Sequence, residues 1–170
     1  MSAKIITLSA TVLAVGLATP TIAESTGELV LTIAGEEEVI PLWGTQSDWS
    51  GSANWPSINI YARSFNEDGE DPLVVTLGFD APGWTPSQAE MRLSRYEGGD
   101  AVLKLFANED EEDGGLAVKL DSHALEGTLM SLTGSVTGTL GTSDNYGRDI
   151  DLSDGIPVDG VFTVTLEELD

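Results

Sequence analysis

The fold is decided by a short stretch in the first half of the chain, Ile58-Asn59-Ile60-Tyr61-Ala62-Arg63. Apolar residues occupy every second position in it, and polar or amphipathic residues stand between them. Successive side chains of a β-strand point to opposite faces of the sheet, so this period predicts a strand with one buried face and one exposed face. Asn59, Tyr61 and Arg63 are expected to share the exposed face.

The same alternation recurs on both sides of this stretch, and no helical stripe of useful length interrupts it. Between Ala124 and Leu140 the parity of the apolar positions changes, which predicts a bulge or turn near residues 127–131. The other apolar sets are Leu29, Leu31 and Ile33; Leu73, Val75, Leu77 and Phe79; Ala89, Met91 and Leu93; Leu103 and Leu105; Leu116, Val118 and Leu120; and Phe162, Val164 and Leu166.

Glycine-containing pairs that favour tight turns separate these segments. About eight to ten short strands joined by such turns predict an all-β fold. We expect a single antiparallel β-sandwich, Ig-like or jelly-roll-like, and the alternative is a small soluble β-barrel. The turn pairs include Pro82-Gly83, Gly98-Gly99, Asp154-Gly155 and Asp159-Gly160.

Residues 1–23 have the pattern of a secretory signal peptide. Lys4 supplies a positive start, an apolar segment follows, and Thr21-Ile22-Ala23 has the small residues of a cleavage site. The apolar stretch is too short for a membrane anchor, so the mature chain is expected to contain no transmembrane segment. Cleavage after Ala23 predicts a bacterial periplasmic or secreted protein, with residues 24–170 forming one domain.

The charge of the chain excludes whole classes of partner. It has 29 acidic and 7 basic side chains, a net charge of −22. Loss of Lys4 with the leader leaves 29 acidic against six basic side chains, a net charge of −23. Nucleic acids and anionic membrane surfaces need a basic protein surface, so we expect neither as a partner.

Composition also restricts the chemistry. There is no Cys, which excludes disulfides, thiolate nucleophiles and Cys-ligated metals. His123 is the only imidazole and has no recognisable triad or zinc-site partners, so it is interpreted as a surface or turn residue. A carboxylate-dependent hydrolase needs only two facing acids and is kept as an alternative, but the acids here fall mainly in turns. The favoured prediction is a non-catalytic protein.

Acidic loops give a tentative calcium site, the only cofactor the sequence suggests. Calcium takes six to eight oxygen ligands, and these loops have the required composition. The spacing departs from an EF-hand loop, because the glycines come one place late and the final bidentate Glu is missing. Solvated hairpin tips are the competing interpretation. The candidate ligands are Asp110, Glu112, Asp149 and Asp151.

Tryptophans supply the candidate binding residues. Trp43, Trp49 and Trp55 follow one another at intervals of six in a segment rich in Gly, Ser and Asn, and Trp84 lies between Gly83 and Thr85. Exposed Trp beside polar side chains can hold a sugar ring by stacking and hydrogen bonding. Inward Trp residues that close the ends of the sandwich are the competing interpretation.

These observations predict an exported, non-catalytic β-sandwich that binds a glycan or a protein partner, or serves a structural role. A calcium-dependent acidic domain is the second hypothesis. A carboxylate-dependent hydrolase is the third. The alternatives differ in what the fold must bring together: exposed Trp side chains, several acids, or two buried carboxylates.

Overall fold

The computed structural model describes residues 25–65, 69, 72–110 and 115–169. The expected signal peptide and its cleavage site lie outside the described residues, so both stay predictions. Within the described ranges no helix has the length and apolarity needed to cross a membrane.

Strands dominate the described part of the chain, and the two helical elements are single 3-10 turns at Gly44–Gln46 and Pro82–Trp84. The all-β expectation is therefore confirmed, while the sandwich and its barrel alternative stay predictions. The strands are β1 (Thr26–Ile33), β2 (Glu36–Pro41), β3 (Asp48–Ser52), β4 (Trp55–Phe65), β5 (Pro72–Asp80), β6 (Ser87–Glu97), β7 (Asp100–Asn108), β8 (Ala117–Glu126), β9 (Leu129–Thr142) and β10 (Asp151–Glu168).

Pairing joins these strands into one mixed, mostly antiparallel sheet that has two five-stranded sections. The first section is the meander β3-β4-β5-β6-β7. The second has the order β2-β1-β10-β9-β8. Two short contacts join the sections: β10 runs parallel to β3 over two residue pairs, and Phe106 of β7 pairs with Gly141 of β9.

The core lies between the inward faces of the two sections. Ile58, Ile60 and Ala62 of β4 are buried, as the alternation predicts. The Phe79 ring of β5 lies 6.1 Å from the Phe162 ring of β10, centroid to centroid, so the two sections meet through these rings. All the buried apolar residues except Val74 and Phe106 form one connected cluster. Burial of these apolar side chains away from water is the main source of the stability of the fold.

Two of the predicted turns are present in the structure. Gly98-Gly99 joins β6 to β7, and a two-residue turn begins at Gly127 between β8 and β9, so both of these predictions are confirmed. Positive φ angles at all three glycines suit such hairpins.

Turns at Asp154-Gly155 and Asp159-Gly160 were also expected. The prediction at Asp159-Gly160 is wrong, because β10 pairs continuously with β9 there, whereas Asp154-Gly155 lies in the irregular part of β10 where the register against β9 shifts. Both pairs lie inside β10. A Cβ on Gly160 would stand 2.2 Å from the Val30 carbonyl oxygen, and one on Gly155 would stand 2.6 Å from Thr139 Cγ2. These glycines permit close approach of neighbouring strands, which is a second reason for glycine in a β-protein.

Candidate binding surface

The outward face of β4 carries the most distinctive side chains of the described surface. On the side of β4 opposite the buried Ile58, Ile60 and Ala62, every second residue points outward along the whole strand. From the first to the last of its residues the face extends about 33 Å. It consists of Trp55, Ser57, Asn59, Tyr61, Arg63 and Phe65.

Trp43 joins this face from the segment that follows β2. An isolated bridge between Leu42 and Ala62 brings the segment alongside β4. The Trp43 backbone N–H donates to the Tyr61 carbonyl at 2.7 Å. The two rings then meet edge to face, with centroids 5.5 Å apart. Backbone pairing thus fixes the Trp43 ring beside Tyr61, and 36% of Trp43 stays exposed.

Arg63 lies between two aromatic rings. Its Cζ atom is 4.6 Å from the Trp43 ring centroid and 4.2 Å from that of Phe65. A guanidinium within about 6 Å of a ring face is attracted by the ring quadrupole. The Nε atom of Arg63 is buried and has no hydrogen-bond partner among the described residues. Stacking against the two rings therefore positions the guanidinium.

We name Trp43, Trp55, Tyr61 and Phe65 the aromatic strip. Trp55 is 59% exposed and Phe65 is 50% exposed, so the two ends of the strip are open to solvent. Three of the four residues share one face of β4 and Trp43 packs beside Tyr61, while Ser57 and Asn59 separate Trp55 from the other rings.

Polar side chains accompany the strip. Asn59 Nδ2 donates to the Gln46 carbonyl at 3.1 Å, and Ser57 Oγ donates to Asp80 at 2.5 Å. Asp48 of β3 pairs with Asn59, and partial burial raises the pKa of the Asp48 carboxyl, an effect that the hydrogen bond to Asn59 opposes. Rings flanked by amide, hydroxyl and carboxyl groups combine stacking with directional hydrogen bonds.

Trp49 does not belong to this surface: it lies in a strand where a loop position was expected, and it has the inward orientation that was the competing interpretation. It lies in β3 opposite the buried Ile58 and is 3% exposed. Its indole Nε1–H donates to the Thr128 carbonyl at 2.9 Å. The strand pairing turns this ring into the core, so it offers no face for stacking on a ligand.

Trp84 is also apart from the strip. It lies in the 3-10 turn between β5 and β6, half-buried, with a positive φ of 65°. Its ring stacks on His123 of β8, with centroids 3.8 Å apart and planes inclined by 10°. One face of Trp84 is therefore already occupied by an imidazole of the same chain.

A cavity of about 410 Å³ lies beside the Phe65 end of the strip. Phe65, Tyr96 and Leu73 contribute to its wall. The ion pair between Arg95 and Glu38, 3.7 Å apart, lies in the same wall. The aromatic strip thus ends in a depression lined by both aromatic and charged groups.

The tentative calcium ligands come from two separate loops. Asp110 follows β7, and its backbone N–H donates to Asn108 Oδ1. Asp149 precedes β10 and accepts a 2.6 Å hydrogen bond from Asn145 Nδ2. Glu112 lies outside the described residues. In the part of the chain that is described, no three acidic or histidine side chains gather as a metal ion requires.

Asp151 begins β10, and its Oδ1 accepts the Ser153 N–H at 2.9 Å. This hydrogen bond lowers the pKa of the Asp151 carboxyl. Asp149 and Asp151 line one cavity of about 360 Å³ together with Asp144. Calcium binding stays a prediction, since the lining is acidic but no ligand set converges.

Tyr61, Arg63 and Phe65 are surface residues that the search for candidate sites missed. The alternation already placed Tyr61 and Arg63 on the exposed side of the strand, opposite Ile60 and Ala62. Attention to the outward residues of that strand could have found them. The approach of Trp43 depends on strand pairing and had no signal in the sequence.

Neither a scan of protein-family models, nor a search of curated proteins, nor a search of solved structures finds a match to this chain. Functional inference therefore rests on the surface itself. Its chemistry is that of a flat, extended platform: exposed rings for stacking, one clamped cation, and hydrogen-bonding groups on both sides.

Proposed function

We propose that this protein is an exported, non-catalytic binding module that holds a glycan chain along the outward face of β4. The aromatic strip stacks on sugar rings, and the polar side chains beside it accept and donate hydrogen bonds to hydroxyl groups. A sugar ring presents an apolar face and a polar rim, which is the pattern that such a surface complements.

The linear arrangement of the strip carries the proposal. Trp55, Tyr61 and Phe65 share one face of one strand, with Trp43 packed beside Tyr61. This geometry suits an extended chain better than a compact small molecule, because the rings are spread along the strand instead of enclosing a pocket. A protein partner is the competing occupant, and the test below separates the two.

The test is a glycan array probed with the purified protein and with the double variant Trp43→Ala/Trp55→Ala. We expect the protein to retain a set of oligosaccharides, and we expect the double variant to bind them at least about tenfold more weakly, since hot-spot aromatics dominate binding energy. Val161→Ala is the matched control, because Val161 is 52% exposed on the other section of the sheet. Full retention by the double variant contradicts the proposal, as does the absence of any bound glycan.

A calcium-dependent acidic domain is the second candidate. The cavity shared by Asp144, Asp149 and Asp151 favours it. The test is a thermal melt in EDTA, in calcium and in sodium chloride of matched ionic strength. A rise in Tm specific to calcium supports this function, because a ligand that binds only the native state stabilises it. Equal rises in both salts mean screening of the negative surface and contradict it.

A further inference from the structure

We infer that the glycan held by this surface is a polyanion, one that carries carboxylate or sulfate groups along its chain. This inference rests on the proposed function and adds the substrate class to it. Its basis is the placement of three of the few cations of a strongly acidic protein on the outward face of β4–β7, which also carries the carboxylates of Asp80 and Glu90.

Three of the six basic residues that follow the predicted leader share this outward face. Strand register places Arg63 of β4 in one row with Lys104 of β7, across Val74 and Ser94. Three strand spacings separate the two ends of the row, about 14 Å. Arg92 of β6 stands in the adjacent row, which begins at Tyr61 of the aromatic strip. The three cations therefore form a triangle beside the strip, and we name Arg63, Arg92 and Lys104 the cationic triad.

These cations lack the partners that an acidic protein could easily supply. The ion pairs among the described residues are Arg95 with Glu38 and Lys119 with Asp121. No described carboxylate lies within 4.0 Å of the triad. Glu67 and Asp68 come shortly after Phe65 in the sequence and lie outside the described residues, so the 4.0 Å limit applies to the described carboxylates alone.

Some outward positions on this face are buried. Val74 is 7% exposed and Ser94 is 3% exposed, although both have the outward parity. Phe106 is buried on the same face, and a Cβ on Gly147 of the β9–β10 connection would stand 2.8 Å from its ring. Val74 and Phe106 are not part of the main core cluster. Both lie at outward positions in the same rows as the cations.

Arg63 is the best-oriented of the three cations because Trp43 and Phe65 clamp its guanidinium. Holding a side chain in its bound orientation reduces the entropy lost when a ligand binds. A planar guanidinium forms paired hydrogen bonds with carboxylate and sulfate oxygens, and it is less strongly hydrated than an ammonium group. A clamped Arg beside stacking rings can therefore recognise an acidic sugar.

The alternative occupant of a cationic surface is an acidic segment of a protein. The observations favour the glycan, because the cations flank a line of exposed rings rather than a hydrophobic pocket of the kind that anchors a protein interface. An acidic peptide would be attracted by the triad, but its binding would not require stacking along the full length of the aromatic strip. Dependence on both the triad and the strip thus distinguishes the two occupants.

The experiment measures binding to probes that differ only in charge. Polygalacturonate is compared with its methyl-esterified, neutral form, and dextran sulfate with dextran, by affinity electrophoresis of the purified protein. These two pairs separate carboxylate from sulfate as the recognised anion. Poly-glutamate is the acidic-peptide probe. We expect at least one anionic polysaccharide to bind and its neutral counterpart to bind at least about tenfold more weakly, as loss of charge-assisted hydrogen bonds implies.

The variants are Arg92→Gln/Lys104→Gln, the full triad Arg63→Gln/Arg92→Gln/Lys104→Gln, and Lys119→Gln as a control. Lys119 is exposed on β8 and paired with Asp121, so its loss removes one positive charge without touching this face. We expect stepwise weakening toward the anionic probe in the first two and no change in the control. Circular dichroism verifies folding, and the double variant keeps the clamped Arg63 if the triple variant is unstable.

Each outcome has a distinct meaning. Equal binding of neutral and charged polysaccharides overturns the polyanion inference and leaves the proposed glycan function standing. Failure of every polysaccharide overturns both. Binding of poly-glutamate that depends on the triad but survives Trp43→Ala/Trp55→Ala overturns both and assigns the surface to an acidic protein segment.

Discussion

The outward faces of the two sections of the sheet differ in the chemistry of their side chains. The face of β4–β7 carries aromatic rings and three cations that have no carboxylate partner among the described residues. The face of β1, β8, β9 and β10 carries many hydroxyl side chains beside the exposed Val161 and the charged Glu28 and Lys119, and β9 has no charged residue. The outward residues of β9 are Ser131, Thr133, Ser135, Thr137 and Thr139.

The hydroxyl face is explained by local requirements. Ser122 and Thr133 share a 2.7 Å hydrogen bond, and Ser131 and Thr165 share one of 3.1 Å. Threonine has high β-propensity, and a hydroxyl group is well solvated at a surface. Nothing beyond folding is needed to account for these residues.

The face of β4–β7 is not explained in this way. Exposed Trp55 and Phe65 leave apolar surface in water, and the stacking of Arg63 buries a donor without a partner. A buried donor without a hydrogen bond costs about 1 to 3 kcal/mol. The proposed binding surface therefore differs from the other face in features that do not stabilise a β-sheet. The following predictions test that difference.

The largest effect is expected at the core that supports both faces. Phe162→Ala removes a ring that contacts Phe79 and leaves a cavity between the two sections. We expect a loss of about 3 to 5 kcal/mol in the free energy of unfolding, measured by urea titration. Its neighbour Val161 points outward, and Val161→Ala should change stability by less than about 0.5 kcal/mol. Similar losses in both variants contradict the assigned alternation of β10.

The next effect separates inward from outward tryptophan. Trp49→Phe removes the hydrogen bond to the Thr128 carbonyl and part of a buried ring. We expect a loss of about 1 to 2 kcal/mol in stability. Trp55→Phe replaces an exposed ring and should leave the melting temperature unchanged. Equal losses of stability in the two variants would mean that Trp55 is packed against the protein. That result contradicts its assignment as an exposed end of the aromatic strip.

A smaller effect is expected at Asp48, beside the polar side of the strip. Burial raises the pKa of this carboxyl above the ordinary value of 3.8. The folded state then binds the proton more readily than the unfolded state, so ionisation of Asp48 costs stability as pH rises through the folded pKa. We expect Asp48→Asn to be more stable than the parent protein at pH 7, and the difference to vanish below pH 3.8.

Asp151 provides the comparison of opposite sign. Its pKa is lowered by the hydrogen bond from Ser153, so its ionised form favours the folded state above the ordinary value of 3.8. Asp151→Asn should therefore be less stable than the parent at pH 7, with the difference lost as pH falls through the folded pKa. Thermal melts at several pH values measure both variants. Shifts of the same sign in the two contradict the assigned environments.

The smallest effect is expected on the hydroxyl face. Ser122→Ala/Thr133→Val removes both partners of one hydrogen bond, so neither group is left unpaired. Such a paired replacement changes stability by less than about 0.5 kcal/mol. Binding to the glycan probes should also be unchanged. Loss of glycan binding in this variant would move the binding surface to the other section of the sheet.

Much of the fold follows from local sequence pattern. The alternation at Ile58, Ile60 and Ala62 predicts the buried side of β4, and the parity change after Ala124 predicts the turn that begins at Gly127. These features depend on the two-residue period of a strand and on glycine at positive φ, both of which are local properties of the chain.

Where pattern reasoning failed, the deciding contact comes from a strand distant in sequence or from strand pairing. Gly160 looks like a turn residue until Val30 is seen to approach its backbone. Trp49 looks like a loop residue until pairing with Ile58 turns it inward.

The sequence by itself determined the all-β class, the inward residues of most strands and the strongly acidic surface. Alternation, turn chemistry and composition act locally or additively, so they can be read along the chain. Only the tertiary structure decided that Trp43 lies beside Tyr61, that Arg63 is clamped between Trp43 and Phe65, and that the cationic triad shares one face. Strand order and register bring these residues together, and alternation along one strand carries no information about which strand will be its neighbour.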